Sequence, residues 1–173
     1  ISRLQTDVKM ISREIREFIV INNVIIDAST GFFSSSYLSM KLGEQIYSAV
    51  KHGTEFCLLV ADLFGESDAG TEQKETMMRI LLPVARKATG EKYELFNAGY
   101  RIAAIMDGIT RDEAETIKKA METEIRRYRI KLPDNKIMRL TPVVAYTFSG
   151  EAGNIRDILE ETTAKTQKAA KSE

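Results

Sequence analysis

Leu95-Phe96-Asn97-Ala98-Gly99-Tyr100-Arg101-Ile102-Ala103-Ala104-Ile105-Met106 is the most informative segment of the chain. It reads as two short apolar strands around a tight turn at Ala98-Gly99, where glycine tolerates a left-handed backbone. The hairpin extends over Lys92 to Phe96 and Tyr100 to Asp107. Upstream, Glu55 to Leu63 is a nearly continuous apolar run, which predicts a central strand buried on both faces. Downstream, Met138 to Phe148 is the last clear strand.

Helices separate these strands. Ser34-Ser35-Ser36 supplies an N-cap for a helix to about Val50, with Leu38, Leu42, Ile46 and Val50 as its buried stripe and Gly53 as its stop. Phe64 to Thr71 is a loop. A second helix runs from about Glu72 to Ala88, kinked at Pro83 by the missing backbone donor, and Gly90 stops it. Thr110 caps a charged helix from Arg111 to about Arg129, with Ala114, Ile117, Met121, Ile125 and Tyr128 facing in. Ser149-Gly150 turns the chain into a closing helix from about Asn154.

The first 26 residues have a different pattern. Ile1, Leu4, Val8, Ile11, Ile15, Phe18, Asn22 and Ile25 step by threes and fours, with Arg3, Asp7, Lys9, Arg13, Glu14, Arg16 and Glu17 between them. The stripe is narrower than a usual globular face and predicts a coiled-coil seam that makes a homodimer. The alternative is an amphipathic helix packed on its own domain. Asn22 is the one polar seam residue, of the kind that fixes register. The expected organisation is a signalling helix over residues 1–26 and an α/β domain over 27–173. The chain starts within a helical pattern without an initiator Met, so it is expected to be a piece of a longer protein.

Composition removes several function classes. Lys+Arg and Asp+Glu are 25 each, so the net charge is zero and no long-range field favours nucleic acid. Apolar runs fall far short of the ~20 residues of a spanning helix. With one cysteine, Cys57, no internal disulfide can form, which suits a reducing cytoplasm. His52 is the single histidine and reads as a helix-end turn residue, so a zinc cluster of the usual kind is not expected. Cys57, in an apolar strand, reads as a structural thiol, and Met77 and Met78 as core filler.

In order and spacing these segments resemble a GGDEF domain, the catalytic domain of diguanylate cyclases. Asp27-Ala28-Ser29-Thr30-Gly31-Phe32-Phe33-Ser34-Ser35-Ser36-Tyr37 resembles the D-x-L-T-G-L-x-N-R-R-x stretch that opens that domain. Lys51-His52-Gly53 falls where the family ends its first helix. Phe56-Cys57-Leu58-Leu59-Val60-Ala61-Asp62-Leu63 resembles its first strand, and the interval from Asp27 to Asp62 fits without a gap. Pro142-Val143-Val144-Ala145 resembles the S-I-G-V-A strand, and Ile155 to Lys171 the closing helix. The likeness implies a mostly antiparallel central sheet flanked by helices.

The resemblance also implies what is missing. Diguanylate cyclases join two GTP molecules using magnesium held by a strand-end Asp and an acid in the hairpin turn. Asp62 matches the first and is a vestigial metal ligand on this reading. Its alternative is a strand-end carboxylate that hydrogen-bonds a loop or pairs with Arg101. The signature run is Ala98-Gly99-Tyr100-Arg101-Ile102, with a phenol and a guanidinium in place of the acidic pair. The guanine-reading stretch after the first strand is replaced by Phe64-Gly65-Glu66-Ser67-Asp68-Ala69-Gly70-Thr71, and the R-x-x-D product-inhibition site by Thr89-Gly90-Glu91-Lys92. Arg86-Lys87 reads as a solvated helix end.

The expected protein is a degenerate GGDEF-like domain with no catalytic residue and no cofactor. It would be a regulatory or scaffolding module of a cytoplasmic bacterial signalling protein, linking a sensor domain to a protein partner through a dimeric helix. The alternatives are a metal-independent nucleotide or cyclic-dinucleotide receptor, with Arg101 and Lys171 meeting phosphates, and a residual cyclase.

Overall fold

The computed structural model describes residues 25–172. The seam residues Leu4, Val8, Ile11, Ile15, Phe18 and Asn22 lie outside the described residues. Helix α1 (Ser35–His52) begins where Ser34 Oγ accepts the Tyr37 N–H at 3.1 Å, and ends where Gly53 turns left-handed at φ +68°. Strand β1 (Phe56–Asp62) follows, then helix α2 (Thr71–Ala88), the hairpin β2 (Leu95–Asn97) and β3 (Arg101–Asp107), and helix α3 (Arg111–Arg127). A small hairpin, β4 (Ile130–Lys131) and β5 (Ile137–Met138), precedes β6 (Val143–Phe148). A 3-10 turn capped by Asn154 leads into helix α4 (Ile158–Ser172).

The main sheet has the order β2-β3-β1-β6, with every pair antiparallel. Every residue of β1 from Phe56 to Ala61 is buried, as a strand covered on both faces must be. Its side chains alternate between two layers. Cys57, Leu59 and Ala61 join Met77, Met78 and Leu81 of α2 and Met121 and Ile125 of α3. Phe56, Leu58 and Val60 join Leu38 and Leu42 of α1 and Ile158 of α4. The sheet is thus sandwiched, with α2 and α3 on one side and α1 and α4 on the other.

Several sequence expectations need correction. Val50 is 70% exposed and not part of the α1 stripe. The stripe advances by four residues each time, and each such step drifts roughly 40° around a helix. Three steps carry Val50 off the buried face. Tyr128 also points outward, because α3 ends at Arg127 and Tyr128 is extended at φ −72°, ψ 127°. The expected strand Met138 to Phe148 is two pieces. Pro142 has no N–H to give a ladder, so β6 starts after it, and Met138 pairs with Ile130 instead. The first hairpin strand begins at Leu95, not Lys92. Helix α2 runs from Thr71 to Ala88 with Pro83 inside it.

Burial pushes the Cys57 thiol up to about 12. The thiolate is the reactive species, so Cys57 is expected to resist iodoacetamide in the native protein at pH 8 and to be alkylated fully in urea. Mass spectrometry of the two samples checks this, and rapid native alkylation would show that the β1 layer opens readily.

Candidate functional site

The site is the tip of the β2–β3 hairpin and the end of β1 beside it. The register pairs Asn97 with Ile102 and Asp62 with Arg101. The two-residue loop is therefore Gly99-Tyr100, one residue later than the turn expected at Ala98-Gly99. Ala98 and Arg101 close it, with Ala98 N–H donating to the Arg101 carbonyl at 2.7 Å. Both loop residues are left-handed, Gly99 at φ +62° and Tyr100 at φ +63°. This is the backbone that a two-residue hairpin of right-twisted strands favours. Glycine takes it freely, whereas a residue with a Cβ is strained by roughly 1–2 kcal/mol.

Neighbours hold Tyr100 in that conformation. Its N–H donates to Asn97 Oδ1 at 2.8 Å, and its hydroxyl donates to Glu75 Oε1 of α2 at 3.3 Å. The Lys74 ammonium lies 5.8 Å from its ring centroid and 5.7 Å from that of Phe64. Burial pushes the Tyr100 phenol up, and the charge and hydrogen bond of Glu75 add to it. The group is therefore a neutral donor at ordinary pH.

Arg101 and Asp62 face each other across the β1–β3 pair. Arg101 Nε lies 3.7 Å from Asp62 Oδ2, and Nε is buried without a hydrogen-bond partner. Asp62 Oδ1 accepts the N–H groups of Phe64 and Gly65 at 3.3 and 3.1 Å. One carboxylate oxygen thus folds the loop after β1, and the other faces a cation. Phe64 is buried in the core, while Gly65, Glu66, Ser67 and Asp68 are exposed.

This donor set does not fit magnesium. A hard divalent cation needs several oxygen ligands, and here one carboxylate stands against one guanidinium. A neutral phenol occupies the turn, committed to Glu75. Among the described residues no group of three or more His, Cys, Asp and Glu side chains gathers as a metal site.

Arg101 also lines a groove of about 410 Å³ between the start of α1, the hairpin tip and α4. From α4 the groove takes Leu159, Glu160, Thr163, Ala164 and Gln167. Lys171, singled out with Arg101 as a phosphate contact, is exposed near the end of α4 and is not among the lining residues. Ile102 is fully buried in the sheet. His52 is exposed at the end of α1. The sequence reading does not single out Asn97 and Glu75, which tie the tip to the rest of the domain, or Arg79, which donates to the Ser29 carbonyl.

Among solved structures, the chain resembles the coiled coil and GGDEF domain of DgcB from Caulobacter crescentus, in complex with c-di-GMP. The match has 16% identity and a TM-score of 0.80, covering 99% of this chain and 94% of that one. The fold is that of a GGDEF domain. The FimX GGDEF domain from Pseudomonas aeruginosa matches at 17% identity and a TM-score of 0.75, over 86% of this chain and 95% of that one. Diguanylate cyclase SiaD from Pseudomonas aeruginosa, in complex with its activator SiaC, matches at 14% identity and a TM-score of 0.74, over 99% and 67%. No family model and no curated protein matches the chain. At these identities the likeness carries the GGDEF fold, and function has to be argued from the site. No described helix is long and apolar enough to cross a membrane.

Proposed function

We propose that the domain is a non-catalytic regulatory or scaffolding module on the GGDEF fold, in a signalling protein of the cytoplasm. It passes a conformational state between its N-terminal segment and a protein partner, as a homodimer joined through that segment. The observation that carries this reading is the Arg101 guanidinium set against Asp62, where the fold's chemistry needs a second acid. The positive charge competes with a metal for the one carboxylate. The loop after β1 supports the same reading, because its Phe64 and Gly65 N–H groups already occupy the other oxygen of Asp62. SiaD in complex with its activator SiaC is a precedent for a protein partner on this fold.

A second reading is favoured by one observation. Arg101 lines the 410 Å³ groove, and a guanidinium there suits an anionic nucleotide held without metal. Calorimetric titration with GTP separates these readings. No heat with or without magnesium is the expected result for a scaffold. Metal-independent heat supports a receptor. Magnesium-dependent heat with pyrophosphate release overturns the non-catalytic assignment.

A further inference from the structure

The hairpin tip is joined to the point where the chain enters the domain by a closed ring of hydrogen bonds. Asp27 Oδ1 accepts Ser29 N–H at 3.1 Å and Ser29 Oγ–H at 2.7 Å. Its Oδ2 accepts Thr30 Oγ1–H at 3.1 Å and Asn97 Nδ2–H at 2.7 Å. Asn97 Oδ1 then accepts the Tyr100 N–H, and the Tyr100 hydroxyl reaches Glu75. One helical turn further along α2, Arg79 Nε donates to the Ser29 carbonyl at 3.0 Å. The path from Asp27 through Asn97, Tyr100 and α2 thus returns to Ser29. Burial pushes the Asp27 carboxyl up, but the hydrogen bonds from Ser29, Asn97 and Thr30 outweigh it and hold the group below the usual value.

The backbone runs alongside this ring. Phe33 N–H donates to the Leu95 carbonyl at 2.9 Å, and Asn97 N–H to the Phe33 carbonyl at 2.8 Å. Ser34 N–H donates to the Ile25 carbonyl at 2.7 Å, so residues 25 to 34 form a closed loop stitched to β2. A shift of the chain at Ile25 therefore bears on Asn97. Asn97 sets the N–H of a residue already strained at φ +63°.

We infer that Asp27 and Asn97 form a coupling link through which the conformation of the junction at Ile25–Thr30 sets that of the Gly99-Tyr100 tip, and the reverse. The inference rests on the reading that this domain transmits a state, and it supplies the route inside the domain. The link has two arms. One is the side-chain bridge, which can break while the fold stays intact. The other is the backbone stitch, which keeps the partners in reach. Coupling of this kind is reciprocal, so loosening either end must loosen the other.

Amide hydrogen exchange on the whole chain tests it. In Asp27→Ala the Tyr100 amide is expected to exchange roughly fivefold to tenfold faster, the equivalent of one lost hydrogen bond. No hydrogen bond joins Asp27 to Tyr100, and the double variant separates the path through Asn97 from the direct field of the Asp27 carboxylate. In Asn97→Ala the Ser29 amide, far away in sequence, is expected to speed up likewise. The double variant should be no faster at Tyr100 than Asn97→Ala alone, because both remove one link. The exchanged pair Asp27→Asn with Asn97→Asp should restore protection, since an amide and a carboxylate still face each other. The Leu58 amide, in the central strand, should be unchanged in every variant. Unchanged Tyr100 exchange in Asp27→Ala, additive effects in the double variant, or equal acceleration at Leu58 would each overturn the link. A cyclic dinucleotide made from GTP would overturn the non-catalytic reading instead, and leaves these exchange rates to decide the link separately.

Discussion

Returning acids to the turn, as Tyr100→Asp with Arg101→Glu, is expected to yield a protein with no diguanylate cyclase activity and a lower melting temperature. Glu at position 101 would stand directly opposite Asp62 in the β1–β3 register, where like charges destabilise a sheet. The Asp62 side chain is only 12% exposed, so water screens the pair poorly. Asp at position 100 accepts the left-handed backbone better than Tyr does. It would nevertheless lose the ring packed against the α2–α3 layer and place a carboxylate near Glu75. Together these changes should cost about 1–3 kcal/mol. At this size each kcal/mol lowers the melting temperature by about 2–4 °C. Activity should still be absent, because Phe64 to Thr71 remains a short loop folded onto Asp62 and the core. Calorimetry gives the melting point, and chromatography of a GTP incubation with magnesium or manganese gives the product. A cyclic dinucleotide from this variant would show that the loop can still place guanine. A raised melting temperature would show that Arg101 and Asp62 do not support one another.

Most of the frame was legible because it depends on local pattern. The run Glu55 to Leu63 is nearly continuously apolar, as a strand covered on both faces is. Ser34, Gly53 and Thr110 sit at helix ends for reasons that act within one turn of chain. Val50 misled because identical four-residue steps look like a stripe in sequence and spiral in space. The β4–β5 hairpin was missed although Pro133-Asp134-Asn135 is a turn signal, and Asn135 takes φ +66° there.

Of the site, the pairing of Arg101 with Asp62 was legible as one of two alternatives for that carboxylate. That Tyr100 and Arg101 stand in place of an acidic pair is what the resemblance implies. The position of the loop was not legible. Expecting glycine to carry the turn places it at Ala98-Gly99, and nothing local says that a tyrosine will take a left-handed backbone. What offsets that strain comes from afar, from Asn97 held by Asp27 and from Glu75 on another helix. Asn97 lies inside the most informative stretch, yet its role depends on a partner 70 residues away.

The largest expected change in the whole protein concerns residues 1–26. Replacing Ile11 and Ile15 by Asp is expected to convert a parallel dimer into a folded monomer, measured by light scattering. On the seam reading Val8, Ile11, Ile15 and Phe18 are shared with a second copy, and each such side chain contributes roughly 1.5–3 kcal/mol when fully buried. Two carboxylates at the centre of that seam would remove the contribution and repel their counterparts. Asn22 refines the test. A polar residue at a seam position lowers stability and selects one register. Asn22→Leu should therefore raise the melting temperature while broadening the distribution of oligomers. The direction separates two architectures, because a coiled coil gains apolar contact at position 22, and a helix packed on its own domain through another face gains none. A wild-type monomer at high concentration would favour that second architecture. An Asn22→Leu variant that melts lower and stays a single dimer would move the seam off position 22.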